Sequence, residues 1–178
     1  MQYIRLTLLS LLIVVLSASV GFLSSAHAEK KDFRDTDLPL PRFVSLSVDK
    51  ANMRTGPGRK YPIKWVFKRK YMPVEIIQEF EHWRKIKDID GEQGWVHKSL
   101  LSGRRTAVIM AKGLTKDKYG VLRAKEDVDA KIIAKLENGV IVDISRCNDT
   151  SCKVSVGGYN GWIERKFIYG IYEDEELN

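Results

Sequence analysis

The run Asn52-Met-Arg54-Thr-Gly56-Pro57-Gly58-Arg59-Lys60-Tyr61-Pro62 sets glycines beside cations, the composition of an anion-binding loop. A phosphate-binding P-loop needs G-x-x-x-x-G-K-[ST] between a strand and a helix, so that backbone amides and the helix N-terminus face the phosphate. Here the glycines are adjacent-but-one, no Ser or Thr follows Lys60, and Pro57 removes one of the amides. That spacing excludes a nucleotide loop. It leaves a turn in which Gly56 and Gly58 permit positive φ, Pro57 fixes its own φ, and Asn52 can bond local backbone. Arg54, Arg59, Lys60 and Tyr61 are candidate ligand contacts on that rigid loop, and Tyr71 is a further one beside the next turn.

Other reactive residue types are few. His27 lies in the apolar leader, and His82 and His97 have no metal-ligand spacing such as H-E-x-x-H, so no metal and no cofactor is expected. Cys147 and Cys152 lack the C-x-x-C spacing of metal and redox pairs. In an exported chain they read as a disulfide across a hairpin, a staple of roughly 2 kcal/mol. Nucleophilic catalysis needs an activated thiol or hydroxyl beside a base. None is evident, and the two repeats, leader and tail account for the whole chain, so an enzyme is not expected.

Charge narrows the partner class. Residues 42–103 hold 13 Lys and Arg against seven acids, and residues 104–172 hold 13 against eight, whereas 173–178 is acidic. A basic body attracts anionic polymers. The stretch from Lys64 to Tyr71 interleaves cations with aromatics like a nucleic-acid patch, but export argues against nucleic acid and a charged turn between strands explains the same residues. Four tryptophans, Trp65, Trp83, Trp95 and Trp162, are expected to pack in the core with their ring edges near the surface. Trp83, Trp95 and Trp162 are assigned structural roles with Asn52, Gly56 and Pro57.

These residues need a scaffold, and the chain shows it twice. Asn52-Met-Arg54-Thr is echoed by Val121-Leu-Arg123-Ala, and Met72 to Ile76 by Val140 to Ile144. Trp83-Arg-Lys-Ile86 is aligned with Cys152-Lys-Val-Ser155. Gly94-Trp95-Val96 returns as Gly161-Trp162-Ile163. Within each unit, apolar residues alternate over short runs such as Val44-Ser-Leu46-Ser-Val48, with turn residues about every ten positions, which predicts short strands of a small sandwich or barrel. Asp90-Gly91 and Gly157-Gly158 mark tight hairpins before the tryptophan strands. Two units of this size, joined only by Gly103-Arg104-Arg105, are expected to pack together.

The order Asn52-x-Arg54-x-Gly56-Pro57, a strand, Trp83-x-x-Ile86, then Gly94-Trp95-Val96 resembles the bacterial SH3-like (SH3b) domain. With Leu100 to Arg105 between the units, the chain looks like the two-repeat exported SH3-domain proteins of alphaproteobacteria, over roughly residues 42–172. The second unit departs from the pattern at Val121 and Lys125-Glu126, where Asn and Gly-Pro would fall. The resemblance implies an all-β protein of two tandem SH3-like small β-barrels, each of five or six strands. It also implies peptidoglycan or its stem peptides as ligand.

The ends complete the organisation. Arg5, an apolar run from Leu6 to Leu23 and Ala26-His-Ala28 form an export signal with cleavage after Ala28. An uncleaved inner-membrane anchor is the alternative. The expected domains are a signal peptide at 1–28, a flexible linker at 29–41, barrels at 42–103 and 104–172, and an acidic tail at 173–178. The functional expectation is a non-catalytic periplasmic binding module for peptidoglycan or a wall peptide, with no stable membrane span after cleavage. An envelope protein-protein adaptor, or an auxiliary regulator of a cell-wall hydrolase, is the alternative.

Overall fold

A computed structural model describes residues 36–111 and 119–177. The leader with its cleavage after Ala28, linker residues 29–35 and the last tail residue lie outside the described residues. Fourteen strands form two seven-stranded antiparallel sheets. The first contains β1 (Arg42–Leu46), β2 (Ala51–Arg54), β3 (Ile63–Phe67), β4 (Pro73–Phe80), β5 (Trp83–Lys87), β6 (Gln93–His97) and β7 (Leu101–Ser102). The second contains β8 (Thr106–Ile109), β9 (Tyr119–Arg123), β10 (Ile132–Glu137), β11 (Ile141–Cys147), β12 (Ser151–Val156), β13 (Tyr159–Glu164) and β14 (Ile168–Tyr169). The strand orders, β3-β2-β6-β5-β4-β1-β7 and β10-β9-β13-β12-β11-β8-β14, superimpose position for position. Each is an SH3-like barrel. The count exceeds the expected five or six because a 3-10 turn, Lys98–Leu100 or Arg165–Phe167, folds a two-residue strand back onto β1 or β8.

The strand register confirms the duplication and shifts one alignment. Arg54 pairs with Trp95 and Arg123 with Trp162, while Ile76 pairs with Ile86 and Ile144 with Val154. Trp83 is therefore equivalent to Ser151 rather than to Cys152, and Arg84 is equivalent to Cys152. Bulges also recur, one between Met53 and Arg54 and its counterpart between Ile132 and Ala134, another after Ile76 and after Ile144. A bulge adds a residue and tightens twist, which lets so short a sheet curl.

Each barrel encloses its own core. Leu46, Met53, Val74, Ile86 and Val96 fill the first, and Ile109, Leu122, Val142, Val154 and Ile163 the second. The glycine of each Gly-Trp pair is a crossing point. A Cβ on Gly94 would lie 2.8 Å from Arg54 O, and one on Gly161 2.5 Å from Arg123 O, so only glycine lets the two strands approach.

The barrels meet through β1, β8 and the turns beside them. Ser45 Oγ lies 2.6 Å from both Arg104 O and Thr106 Oγ1, and Thr106 Oγ1 lies 2.7 Å from Tyr71 O. Phe43 packs edge-on against Tyr169 at 5.2 Å and against Tyr172 at 4.8 Å. The Tyr172 hydroxyl donates to Glu75 Oε1 at 2.8 Å. The expectation of a packed pair is met.

Both flanking segments are held as well. Thr36 donates from its backbone N to Glu79 Oε2 at 2.9 Å, and its hydroxyl bonds the same carboxylate. Leu40 packs against the first core. The described part of the expected linker is thus tied to barrel 1. In the tail, Leu177 pairs through its backbone with Cys147, and Glu175 forms an ion pair with Arg105. No α-helix occurs among the described residues, and no helix there is long and apolar enough to cross a membrane.

Candidate functional site

The Asn52–Pro62 stretch runs from β2 through a loop into β3. Thr55 N donates to Pro62 O at 3.0 Å, closing the loop at its base. Arg54 turns its guanidinium into the loop, where Nη1 donates to Tyr61 O at 2.8 Å and to Arg59 O at 3.2 Å. The second barrel repeats this with Ala124 N to Lys131 O and Arg123 Nη1 to Ala130 O, both at 2.9 Å. The shared arginine is a loop anchor.

The glycines act differently from the sequence expectation. Neither Gly56 nor Gly58 has positive φ. Instead a Cβ on Gly56 would lie 2.5 Å from the Tyr61 ring, and one on Gly58 would lie 3.3 Å from it. The ring is laid flat on its own loop and stiffens it. Lys60 Nζ sits 5.5 Å from that ring's centroid. Arg59 is exposed.

Beside the loop lies an open cleft of about 350 Å³ lined by Asn52, Arg54, Arg59, Trp83, His97 and the Ser99-Leu100 turn. Trp83 on β5 faces His97 on β6, ring edge to ring face at 5.4 Å, because the two are cross-strand partners. His82 stands 6.1 Å from His97. Burial, with the charges of His82, Arg59, Lys98 and Arg84, holds the His97 imidazole below the usual histidine range. Its Nδ1 lies 2.8 Å from Ser99 Oγ. The cleft therefore offers a guanidinium, a neutral imidazole, an indole face and an amide. These suit an anionic or amide-bearing ligand, and the half-buried Trp83 supplies apolar contact.

The equivalent place in barrel 2 is nearly shut. Val121 replaces Asn52, Ser151 replaces Trp83 and Glu164 replaces His97, and the remaining space is about 10 Å³. A second, larger hollow of about 690 Å³ lies between the 3-10 turn, the Asp149-Thr150 turn and the tail of barrel 2, lined among others by Glu164, Arg165 and Tyr172. There the Arg165 guanidinium is committed to the backbone oxygens of Asn148, Tyr172 and Glu175.

The structure thus brings together Arg54, Arg59, Asn52 and Trp83 at the cleft, with Lys60 and Tyr61 on the adjoining loop. Tyr71 is elsewhere. It lies at the junction of the barrels with the Arg104 guanidinium 4.1 Å above its ring, and it has a φ of 63° where the second barrel has Gly139. Sequence reasoning missed His97 and Ser99 as cleft residues, although His97 lies two positions from Trp95 on β6, on the face opposite the core residue Val96, and is the cross-strand partner of Trp83. Trp95 is buried, and Trp83 and Trp162 are half-buried. Trp65 departs from expectation: at 57% exposed it is not a core residue, since β3 ends the sheet and nothing among the described residues pairs its outer side. The Cys147–Cys152 disulfide forms as expected. No cluster of three or more metal-ligating side chains occurs among the described residues.

Comparison with known proteins locates this arrangement. The family model described as "Bacterial SH3 domain" matches residues 47–103 and again residues 116–170. A curated relative from Bacillus subtilis (strain 168), named "Putative N-acetylmuramoyl-L-alanine amidase YrvJ", is 24% identical over 128 residues, covering 69% of this chain. The chain spans about a quarter of that relative, 24% of its length. Among solved structures, NlpC2 and NlpC1 from Trichomonas vaginalis are similar at 14% and 13% identity, each with a TM-score of 0.33. The matches cover 72% and 75% of this chain and 48% and 47% of theirs, a likeness too low to argue from.

Proposed function

Because the chain belongs to the bacterial SH3 domain family and carries that domain twice, we propose that it is a non-catalytic binding module of the cell envelope. In this reading barrel 1 recognises a wall peptide of peptidoglycan. The observation that carries this is the asymmetry of the two equivalent clefts, about 350 Å³ in barrel 1 against about 10 Å³ in barrel 2. One barrel keeps an open, cation- and aromatic-lined site, and the other has filled it. Stem peptides are short, amide-rich and carboxylate-bearing, which matches a guanidinium at Arg59, the amide of Asn52 and the indole of Trp83. The relative's name, an amidase of N-acetylmuramoyl-L-alanine, supports the ligand class. Its catalysis is not carried over, since the shared segment is the SH3 repeat.

The roles within the site divide. Arg59, Trp83 and His97 contact ligand, Lys60 adds charge at the rim, and Arg54 and Tyr61 hold the loop in shape. The leader and its Ala26-His27-Ala28 motif direct the protein to the periplasm.

Retention of purified protein on isolated sacculi, at low and at physiological salt, tests the reading. Arg59→Glu and Trp83→Ala should each reduce retention about tenfold or more, as loss of a central anchor does. Equal retention of both variants and wild type, or none at low salt, overturns it.

A further inference from the structure

We infer that β3 is a second interaction surface, an open sheet edge that takes an extended acidic polypeptide segment as an added strand. This does not rest on the cleft. β3 ends the sheet order, with β2 its one ladder partner among the described residues. An unpaired edge presents free N–H and C=O groups to another chain, and proteins normally blunt it with charge or cover. Here β3 carries Lys64 and a bulge, yet two large apolar side chains stay exposed. Ile63 is 48% exposed and Trp65 57%, on either side of the bulge opposite Met53 and Arg54. At the equivalent of Trp65, opposite Leu122 as Trp65 is opposite Met53, barrel 2 has Ala134.

Charge selects the occupant. From Thr55 to Val74 the chain has six Lys and Arg and no acid, whereas the equivalent stretch Ala124 to Val142 has three Lys and four acids. Lys64 is already engaged, 2.8 Å from Glu92 Oε2 and 3.0 Å from Gln93 O. The attraction therefore comes from Arg59 and Lys60 at one end of β3 and from Lys68, Arg69 and Lys70 at the other. Pairing β3 with β3 of a second copy would set two wholly cationic stretches side by side, which is unfavourable. A polyanion without strand geometry would use the charges but leave Trp65 and the backbone edge unused. An extended segment with alternating acidic and apolar residues uses all three. Its backbone completes the ladder, its apolar side chains cover Trp65, and its acids meet the flanking cations.

The probe is a blocked ten-residue peptide alternating glutamate and valine, titrated into the purified protein with amide hydrogen exchange read residue by residue. Protection of residues 63–67, with 132–137 unchanged as the internal control, is the expected result. Trp65→Ala should weaken binding about tenfold or more with an unchanged Tm, the side chain being exposed. Exchanging Lys68, Arg69 and Lys70 for glutamates should abolish it. A peptide of the same sequence with every backbone amide N-methylated cannot donate to a ladder. If it protects or binds equally well, the attraction is charge alone and the inference fails. Binding of the valine peptide without protection of β3, or self-association of the protein through β3, also overturns it.

Discussion

Arg54 and Arg123 are the same residue twice, each folding its guanidinium back onto a carbonyl seven positions later. A half-buried charged hydrogen bond of this kind is worth about 2 kcal/mol. Arg54→Ala should destabilise barrel 1 by about that amount and speed amide exchange across residues 55–62. Arg123→Ala should cost less, since Arg54 also bonds Arg59 O; urea unfolding of both variants checks the order. Arg54→Lys restores charge without the planar fork, so it should recover little of either effect. His97 gives a different handle. Its pKa lies below the ordinary 6.5 because burial and then His82, Arg59, Lys98 and Arg84 disfavour the imidazolium. Between the folded value and 6.5 the unfolded chain binds more protons, so the protein loses stability as pH falls through that window. A carboxylate placed in the cleft opposes those cations and raises the His97 pKa, so binding takes up a proton. Affinity for a wall peptide should therefore rise as pH is lowered through 6.5 and below, and His97→Gln should flatten that slope in calorimetric titrations. An unchanged slope in the variant would place the proton on another group.

The β4–β5 and β11–β12 hairpins solve one structural problem with two chemistries. Glu79 pairs with Arg84 and Cys147 with Cys152 at the same register, so a buried ion pair in one barrel stands where the other has a disulfide. Burial raises the Glu79 pKa, but hydrogen bonds from Arg42 and Thr36 and the charges of Arg84 and Arg42 outweigh it, and the net value lies below 4.5. The stability this carboxylate supplies is present above 4.5 and disappears as pH falls through its lower folded value. Replacing Glu79 by Ala strips the carboxylate from Arg42 and from Arg84, which is 4% exposed, at a cost of about 3 kcal/mol. Cys147→Ala should cost about 2 kcal/mol. The shared register makes a sharper prediction: Glu79→Cys with Arg84→Cys should form a second disulfide without redesign, seen as two blocked thiols in mass spectrometry. It should also release residues 36–41, which lose their carboxylate anchor. Free thiols in that double variant would refute the equivalence. Much of this was legible in sequence, because Arg54, Trp95 and their echoes pair locally and keep a fixed spacing. The misalignment at Trp83 came from the turn that follows: Ile76 to Ile86 and Ile144 to Val154 are equally spaced, but residues 88–92 separate β5 from β6 and only 157–158 separate β12 from β13, and alternation alone does not reveal where the extra residue sits. Trp65 was misplaced because core and edge strands of a small barrel share one apolar alphabet.

Between the barrels, the contacts join residues far apart in sequence that look like ordinary strand and turn positions. Ser45 and Thr106 are 61 residues apart, Glu75 and Tyr172 97, and no local pattern links them, so the sequence predicted packing but not its partners. Two hydroxyl protons serve three short contacts among Ser45 Oγ, Thr106 Oγ1, Arg104 O and Tyr71 O. With each hydroxyl donating to its own carbonyl, Ser45 to Arg104 O and Thr106 to Tyr71 O, removing either one takes the donor from that carbonyl. Burial and Glu75 hold the Tyr172 phenol well above its ordinary pKa, so it remains a donor throughout the physiological range, and Lys87 Nζ at 2.5 Å from Glu75 Oε2 completes the site. Barrels joined this way should unfold together. Thr106→Val leaves Tyr71 O without its hydroxyl donor, Tyr172→Phe takes one donor from a buried carboxylate, and each should cost about 1–3 kcal/mol. Phe43→Ala removes the ring that both Tyr169 and Tyr172 pack against and should cost about 3–5 kcal/mol. If the junction is what couples the barrels, scanning calorimetry should show one transition for the wild type and two for Phe43→Ala with Thr106→Val. The lower transition should belong to barrel 1, because the disulfide remains in barrel 2, and adding reductant should bring the two transitions closer. Two transitions already present in the wild type would mean that the barrels fold independently and that the cleft in barrel 1 owes nothing to its neighbour.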